Sequence, residues 1–362
     1  MADQGERVPA PVGTAGDRAC GTAIPVRVRG LRPADWAAVA RIYEQGLATG
    51  NASFEVYVPG WARFATTRIP YLLLVATDRR TDEVIGWAGA TPVSSRRTYT
   101  GVVENSIYIA EQARGRGAGR VLLDSFIRLA EACGVWSIRA AVFPTNQGGL
   151  ALHEACGFRR VGVLDRVGRR GGRWQDVVLM ERRSPIPEGD PPLIRLAMPG
   201  AGAGGRSDHD AVRGLLNGAA LPTGGLDTAW RVWVADRDGT NVDVAGTVAM
   251  ERYEAAGRSP VYLLRSLAVA PGNRSRGLGS SLVRGALTCA DLDAGTPATV
   301  ALLTTTADGF FDPFGFRPVP RTALPASLQA SAQLRGMCPD TARAYLRDYA
   351  AATQAGEGRP LL

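Results

Sequence analysis

Residues 107–119 read IYIAEQARGRGAG, and residues 267–279 read LAVAPGNRSRGLG. The two stretches stand 160 positions apart, with Ala110/Ala270, Arg114/Arg274, Arg116/Arg276, Gly117/Gly277 and Gly119/Gly279 in register. Further on, Gly157-Phe158-Arg159 returns as Gly315-Phe316-Arg317 at an offset of 158. Two anchors at nearly one offset predict two copies of one domain, each about 160 residues long. Solenoid repeats run about 20–50 residues, so this is a tandem duplication. The length of 362 residues fits two domains at ~100–200 residues each.

Each copy of the stretch leaves an apolar strand and enters an amphipathic helix, as in VVENSIYIA (102–110) and VLLDSFIRLAEACG (121–134). Glycines there let the backbone turn with its amides exposed, and the helix N-terminus adds partial positive charge. Arg114, Arg116 and Arg120 add full charges in the first copy, and Arg274 and Arg276 in the second. The arrangement suits phosphate. It is not a P-loop, which needs GK[ST], and it lies mid-domain rather than after a first strand as in dinucleotide folds.

Working outward in the first copy, VRVRGL (26–31) alternates as a strand, and Arg32-Pro33-Ala34-Asp35 leads into a helix reaching Gly46. YLLLVATD (71–78), VIGWAGATPV (84–93), WSIRAAVF (136–143), RRVGVLDRVGR (159–169) and DVVLMER (176–182) read as strands, and GLALHEACG (149–157) as a helix. A meander followed by strand–helix–strand–helix–strand predicts an α/β (α+β) fold with a mixed central sheet flanked by helices, built twice. The chain divides into an N-terminal tail (1–23), a first domain (24–183), a Pro-rich linker SPIPEGDPP (184–192), a second domain (193–350) and a tail (351–362). The second domain opens on the strand LIRLA (193–197), followed by a Gly/Ala-rich loop (198–207) and a helix starting near Asp208 or Asp210.

Composition excludes several classes. Hydrophobic residues are 45% and charged residues 21%, the balance of a folded protein. No apolar run approaches the ~18–20 residues of a membrane span, and the N-terminus lacks the apolar core of a signal peptide. The net charge is +8, and all 42 basic residues are arginine, scattered without basic–aromatic runs, so nucleic acid is not expected. Five widely spaced cysteines (Cys20, Cys133, Cys156, Cys289, Cys338), no CxxC and two histidines argue against a metal site or disulfide framework and for a reducing cytoplasm.

The Arg-x-x-Gly-x-Gly loops (Arg114–Gly119 and Arg274–Gly279) resemble the signature of the GNAT N-acetyltransferase superfamily in both halves. The resemblance implies acetyl-CoA as cofactor. Its contacts would be Ile107, Tyr108, Ile109, Arg114, Gly115, Arg116, Gly117, Ala118, Gly119, Arg120 and Asn146, and in the second copy Leu267, Val269, Arg274, Ser275, Arg276, Gly277, Leu278 and Gly279. The first copy is similar to phosphinothricin and arsinothricin acetyltransferases through TGNASFE (49–55), GWAGATPVSSRRTY (86–99), VENSIYIA (103–110), PTNQGGLALHEACGF (144–158) and GGRWQDVVLMER (171–182). That likeness implies Glu104 as general base, His153 assisting the base or a developing oxyanion, and substrate contacts at Phe54, Arg96, Arg97, Tyr99 and Tyr108; Trp174 matches a family tryptophan. Two departures are the short opening LRPADW and Gly149, where the family has serine; with Asn146 kept, the second should touch coenzyme affinity only.

The second copy resembles another arsenic-resistance acetyltransferase family through NGAALPTGGLD (217–227), YLLRSLAVAP (262–271), LLTTTADGFFDPFGFRPV (302–319) and PASLQASAQLRGMCP (325–339). At the two offsets Glu104 corresponds to Leu264 and His153 to Phe311, so coenzyme binding is expected there without the same base. Glu251, Tyr253, Arg265 and Cys338 are its remaining candidate polar groups. The expected function is N-acetylation of a toxic amino-acid analogue such as arsinothricin or phosphinothricin. The alternative is acetylation of methionine sulfoximine or other amino acids, with the C-terminal half a coenzyme- or metabolite-binding module. The expected pairing is a homodimer or the two copies against each other.

Overall fold

The computed structural model describes residues 23–99, 101–184, 193–197, 207–236, 244–255, 258–295, 297–307 and 309–347. The tails, linker residues 185–192 and most of the Gly/Ala-rich loop lie outside them. The first sheet contains β1 (Val26–Gly30), β2 (Leu74–Asp78), β3 (Val84–Pro92), β4 (Val102–Ile109), β5 (Ser137–Val142), β6 (Arg159–Arg170) and β7 (Arg173–Arg183). The second contains β8 (Leu193–Leu196), β9 (Arg231–Asp236), β10 (Val244–Ala255), β11 (Arg258–Val269), β12 (Thr299–Thr304), β13 (Arg317–Val319) and β14 (Arg343–Arg347). The strand orders are β1-β2-β3-β4-β5-β7-β6 and β8-β9-β10-β11-β12-β14-β13, one topology built twice. Only β4–β5 and β11–β12 are parallel, which makes each sheet mixed.

Helices α1 (Trp36–Ala48), α2 (Trp61–Thr67), α3 (Ala118–Ala132) and α4 (Gln147–Ala155) belong to the first half, and α5 (Asp208–Gly218) and α6 (Leu278–Ala294) to the second. In both halves the first strand is locked to its following helix by a buried arginine–aspartate pair. Arg29 donates to Asp35 at 2.7 and 2.8 Å, and Arg195 to Asp208 at 2.6 and 3.1 Å. Such pairs are bidentate, fixing direction as well as distance.

Two local readings change. The strand expected from Tyr71 begins at Leu74, because Pro70 opens a short 3-10 turn over Pro70–Leu72, where its fixed φ and missing N–H are tolerated. Helix α2 is an addition to the elements read from the sequence, and it ends on the β-branched pair Thr66 and Thr67. Both hydroxyls turn back onto helix carbonyls, and Phe64 anchors the turn with no exposed surface.

The two halves share one core. Helix α3 packs on α6, and a methyl at Gly285 would stand 3.0 Å from the Ala132 carbonyl oxygen. Buried residues of α3 (Leu122, Phe126, Ala130) and of α6 (Leu282, Ala286, Cys289) fall in one continuous cluster. The free thiols of Cys133 and Cys289 meet there at 3.4 Å, an approach that their spacing in sequence does not announce.

Candidate functional site

The phosphate-type loop has the same backbone in both halves. Arg114 and Arg274 are extended (φ −67 and −69), and Gly117 and Gly277 are left-handed (φ 84 and 76) at the N-caps of α3 and α6. Gly115 (φ 70) is matched by Ser275 (φ 61), a serine held where glycine is at ease. Each loop is closed by an arginine: Arg114 Nε donates to the Ile109 carbonyl at 3.1 Å, and Arg274 Nε to Val269 at 3.0 Å. A Cβ built at Gly115, Gly117 or Gly277 meets nothing within 4 Å. The first-turn amides therefore open onto a clear cradle, which fits the pyrophosphate of acetyl-CoA. Arg120 leans toward Asp124 at 3.8 Å. Ala118 and Leu278 are buried, while Gly119 and Gly279 pack against Leu152 and Phe310.

Beside each loop the sheet opens. β4 pairs with β5 only over Val102–Glu104 against Ser137–Arg139, so residues 105–109 lie beyond that pairing. β11 pairs with β12 only over Val261–Leu264 against Thr299–Leu302. The backbones of Ile107–Ile109 and Leu267–Val269 line these splayed edges, where an extended pantetheine chain could bond.

Alternation along β4 then sorts the side chains, because neighbours in a strand face opposite ways. Glu104, Ser106 and Tyr108 share the face of Thr91, Gly89 and Trp87, their partners on β3. The Glu104 side chain is open to water on one side, yet the surrounding protein desolvates it and raises its carboxyl above the usual range, with Arg139 opposing. Tyr108 is stacked on Trp87 (4.8 Å, 13°) and roofed by Gly46 of α1, where a Cβ would strike its ring. Phe54 stands edge-on to Phe143 at the end of β5 (4.9 Å, 87°) and covers Gly168 of β6. Arg170 holds its loop in place through the carbonyls of Leu47 and Gly50. Arg96 and Tyr99 are exposed beside the start of β4; the Arg97 side chain lies outside the described residues. Trp174 is exposed beneath Arg169.

His153 falls elsewhere. Asn105, next to Glu104 and so facing the opposite side, contacts the imidazole Nε2 at 3.5 Å. Nδ1 donates to the Gly149 carbonyl at 2.7 Å, and burial lowers the imidazole pKa, keeping the ring neutral. The structure therefore separates His153 from Glu104 by the thickness of the sheet. Asn146 caps α4: its side-chain oxygen accepts from Gly149 N at 2.9 Å. A Cβ at Gly149 would meet that side chain at 2.9–3.0 Å, so glycine there leaves the cap undisturbed.

In the second half, Phe311 stands edge-on to Phe316 as His153 does to Phe158, so the offset of 158 holds in space. The offset of 160 does not hold for Glu104. Between Thr247/Ala268 and Ala249/Arg265, β11 carries one extra residue at Ser266 (φ 55), whereas β3–β4 runs without a bulge. Beyond it, Leu263 occupies the third rung of parallel pairing, as Glu104 does, while Leu264 turns into the shared core. The Glu104 position is a leucine either way. The acid has moved across the rung: Thr91 faces Glu104, but Glu251 faces Leu263. Glu251 accepts from Arg265 at 2.6 Å, from Gln333 at 3.2 Å and from the Tyr253 hydroxyl, beside a cavity of about 490 Å³. Cys338 lines an adjoining cavity of about 80 Å³. Sequence reasoning singled out these groups but not Gln333, which arrives from a distant turn.

Among the described residues no cluster of three metal-ligating side chains occurs, and no helix is long and apolar enough to cross a membrane. The profile of the Acetyltransferase (GNAT) family matches residues 43–158, and that of an Acetyltransferase (GNAT) domain matches residues 228–318. A phosphinothricin N-acetyltransferase from Alcaligenes faecalis is 39% identical over 175 residues, 46% of this chain and 85% of the relative. The Escherichia coli L-amino acid N-acyltransferase MnaT is 32% identical, over 42% of this chain and 91% of its own. A Sinorhizobium meliloti phosphinothricin acetyltransferase structure in complex with AcCoA is 31% identical, covers 45% of this chain and 94% of its own, and has a TM-score of 0.40. The twice-built sheet, the paired loops, the two family profiles and the sequence relatives lead to one assignment: the chain belongs to the GNAT acetyltransferase family.

Proposed function

We propose that the N-terminal half acetylates the amine of a small amino acid bearing a tetrahedral phosphinate, arsinate or sulfoximine head, with phosphinothricin, arsinothricin and methionine sulfoximine as the acceptor class. Relatives named for phosphinothricin and for methionine sulfoximine support the class. In this reading the reaction detoxifies the amino acid. The loop amides of Arg114–Gly119, the N-terminus of α3, and Arg114, Arg116 and Arg120 would hold acetyl-CoA. Bound there, acetyl-CoA supplies an activated thioester. Glu104 carries the reading: a carboxyl raised by desolvation, at the rung where β4 and β5 part. Its carboxylate takes the proton of the incoming ammonium directly or through one water, and the raised pKa brings it closer to the basicity the task requires. His153, neutral and behind the sheet, acts through Asn105 as a positioning residue for β4. Arg96 and Tyr99 stand at the exposed mouth, where they would draw in an anionic acceptor. The second half keeps the coenzyme cradle and lacks the base on β11, so it binds acetyl-CoA without repeating this step.

The test is coenzyme A release by the full chain with phosphinothricin, arsinothricin and methionine sulfoximine. Glu104→Gln should lower kcat/KM by about 10²- to 10⁴-fold, the usual contribution of a general base, at unchanged acetyl-CoA KM. Near-full kcat/KM across pH 7–8 overturns the assignment.

A further inference from the structure

A cation without an acid stands on the Glu104 face. Arg68 follows α2 directly, and its guanidinium lies 4.0 Å from the centre of the Phe64 ring, 5.4 Å from Trp87 and 5.9 Å from Tyr43. Its stem crosses Gly89, the partner of Ser106: a Cβ on Gly89 would stand 3.5 Å from the Arg68 Cδ. Arg68 Nη1 makes two long contacts, to the Phe64 carbonyl (3.4 Å) and Thr67 Oγ1 (3.5 Å), and Nε is buried without a partner. Its other polar neighbours are the Tyr43 and Tyr108 hydroxyls, the latter in contact with Ser53. Among the described residues no carboxylate reaches ion-pair distance of Arg68; Glu55 acts on it only through space.

Arg29, Arg195, Arg265 and Arg347, all buried, each meet a carboxylate at 2.6–2.8 Å. Arg231, packed over Trp230 and Tyr71, shares with Arg68 the lack of a carboxylate partner among the described residues, but it lies in the core between the halves and not on the Glu104 face. Desolvating a guanidinium without such a partner is costly, and its best complement is a planar pair of anionic oxygens. Arg68, Tyr43, Tyr108 and Ser53 together present donors with no anion among them. We propose that this cluster is the binding subsite for the anionic head, carboxylate or phosphinate, of the acceptor whose amine meets Glu104. The subsite rests on the acetyl-transfer reading above. Ser106, beneath the Arg68 stem, lies two residues from Glu104, about 7 Å along the strand, and Tyr108, beside the guanidinium, two residues further, so an amino acid with its amine at Glu104 directs its head along β4 toward this cluster.

The experiment measures two things on the full-length protein: steady-state acetylation, and ligand binding through tryptophan fluorescence, since Trp87 borders Arg68. The ligands are methionine sulfoximine, its methyl ester, phosphinothricin and its carboxyl methyl ester. Arg68→Gln should weaken methionine sulfoximine binding and raise its KM about 10- to 100-fold, as loss of a charge-assisted hydrogen bond does, with acetyl-CoA KM unchanged. Arg68→Lys, which keeps the charge, should recover part of the loss. The methyl ester of methionine sulfoximine should bind wild type as weakly as the acid binds Arg68→Gln, and should lose nothing further in the variant. If the ester of phosphinothricin still depends on Arg68, the phosphinate is the bound head; if it does not, the carboxylate is. Equal losses on methionine sulfoximine and its methyl ester, or no loss on any of the four ligands, overturn the subsite while leaving acetylation intact. Arg68-dependent binding without turnover would instead sink the acetyl-transfer reading and keep the subsite. Absence of binding by wild type overturns the subsite.

Discussion

At the scale of single residues, one step along β4 separates the proposed base from the residue that contacts His153. Glu104 faces the cleft, and Asn105 faces α4, where it meets a buried, neutral His153. The sequence placed both Glu104 and His153 in view, because each sits in a recognisable motif. It could not sort them by face, since that depends on which helix covers which side of the sheet. The raised carboxyl makes a stability prediction with a definite sign. Below pH ~4 the Glu104 carboxyl is protonated in both folded and unfolded chains. As pH rises through its elevated folded value, the folded chain loses the stabilisation that the neutral acid had conferred. Glu104→Gln should therefore melt like wild type at pH 4 and at a higher temperature at pH 7–8, read by calorimetry. A variant less stable than wild type at pH 7 would show that the carboxylate is stabilised in place.

At the scale of elements, the Gly-rich turn was the most legible part of the chain. Its geometry is local, set by left-handed positions that glycine tolerates and by a helix that must begin with open amides. The two loops grade their own positions. Ser275 shows that the site of Gly115 admits a side chain, whereas both copies keep glycine at 117 and 277. Gly117→Ala should cost ~1–2 kcal/mol, the penalty of left-handed backbone for an L-residue, and raise the KM for acetyl-CoA. Gly115→Ser should cost less on both counts; urea unfolding and coenzyme titration measure them. The β-bulge at Ser266 was invisible to the offset between copies. One added residue flips every following side chain to the other face, which is why Leu263, not Leu264, stands at the Glu104 rung.

At the scale of the whole molecule, the halves are joined by a shared apolar interior and not only by the covalent link. Gly134 marks the tightest approach: its φ is 86, and a Cβ there would overlap the Ile194 carbonyl oxygen of β8 at 1.9 Å. Gly134→Ala should destabilise the chain by on the order of 3 kcal/mol, combining left-handed strain with overpacking. The thermal transition should fall or split into two; an unchanged single transition would mean that the halves do not depend on this contact. Each half expressed alone would expose the α3 or α6 face that the other covers.

The sequence by itself determined the duplication, the strand–loop–helix device and the residues of the two Gly-rich turns. All of these are written in local spacing and backbone preference, which a short stretch of chain carries intact. Tertiary structure decided which face each residue serves, the pairing of Cys133 with Cys289, the gathering of Glu251, Arg265 and Gln333, and the acid-free setting of Arg68. Those facts depend on strand register and on contacts between segments far apart in the chain, where packing and desolvation, rather than neighbouring residues, set the energy.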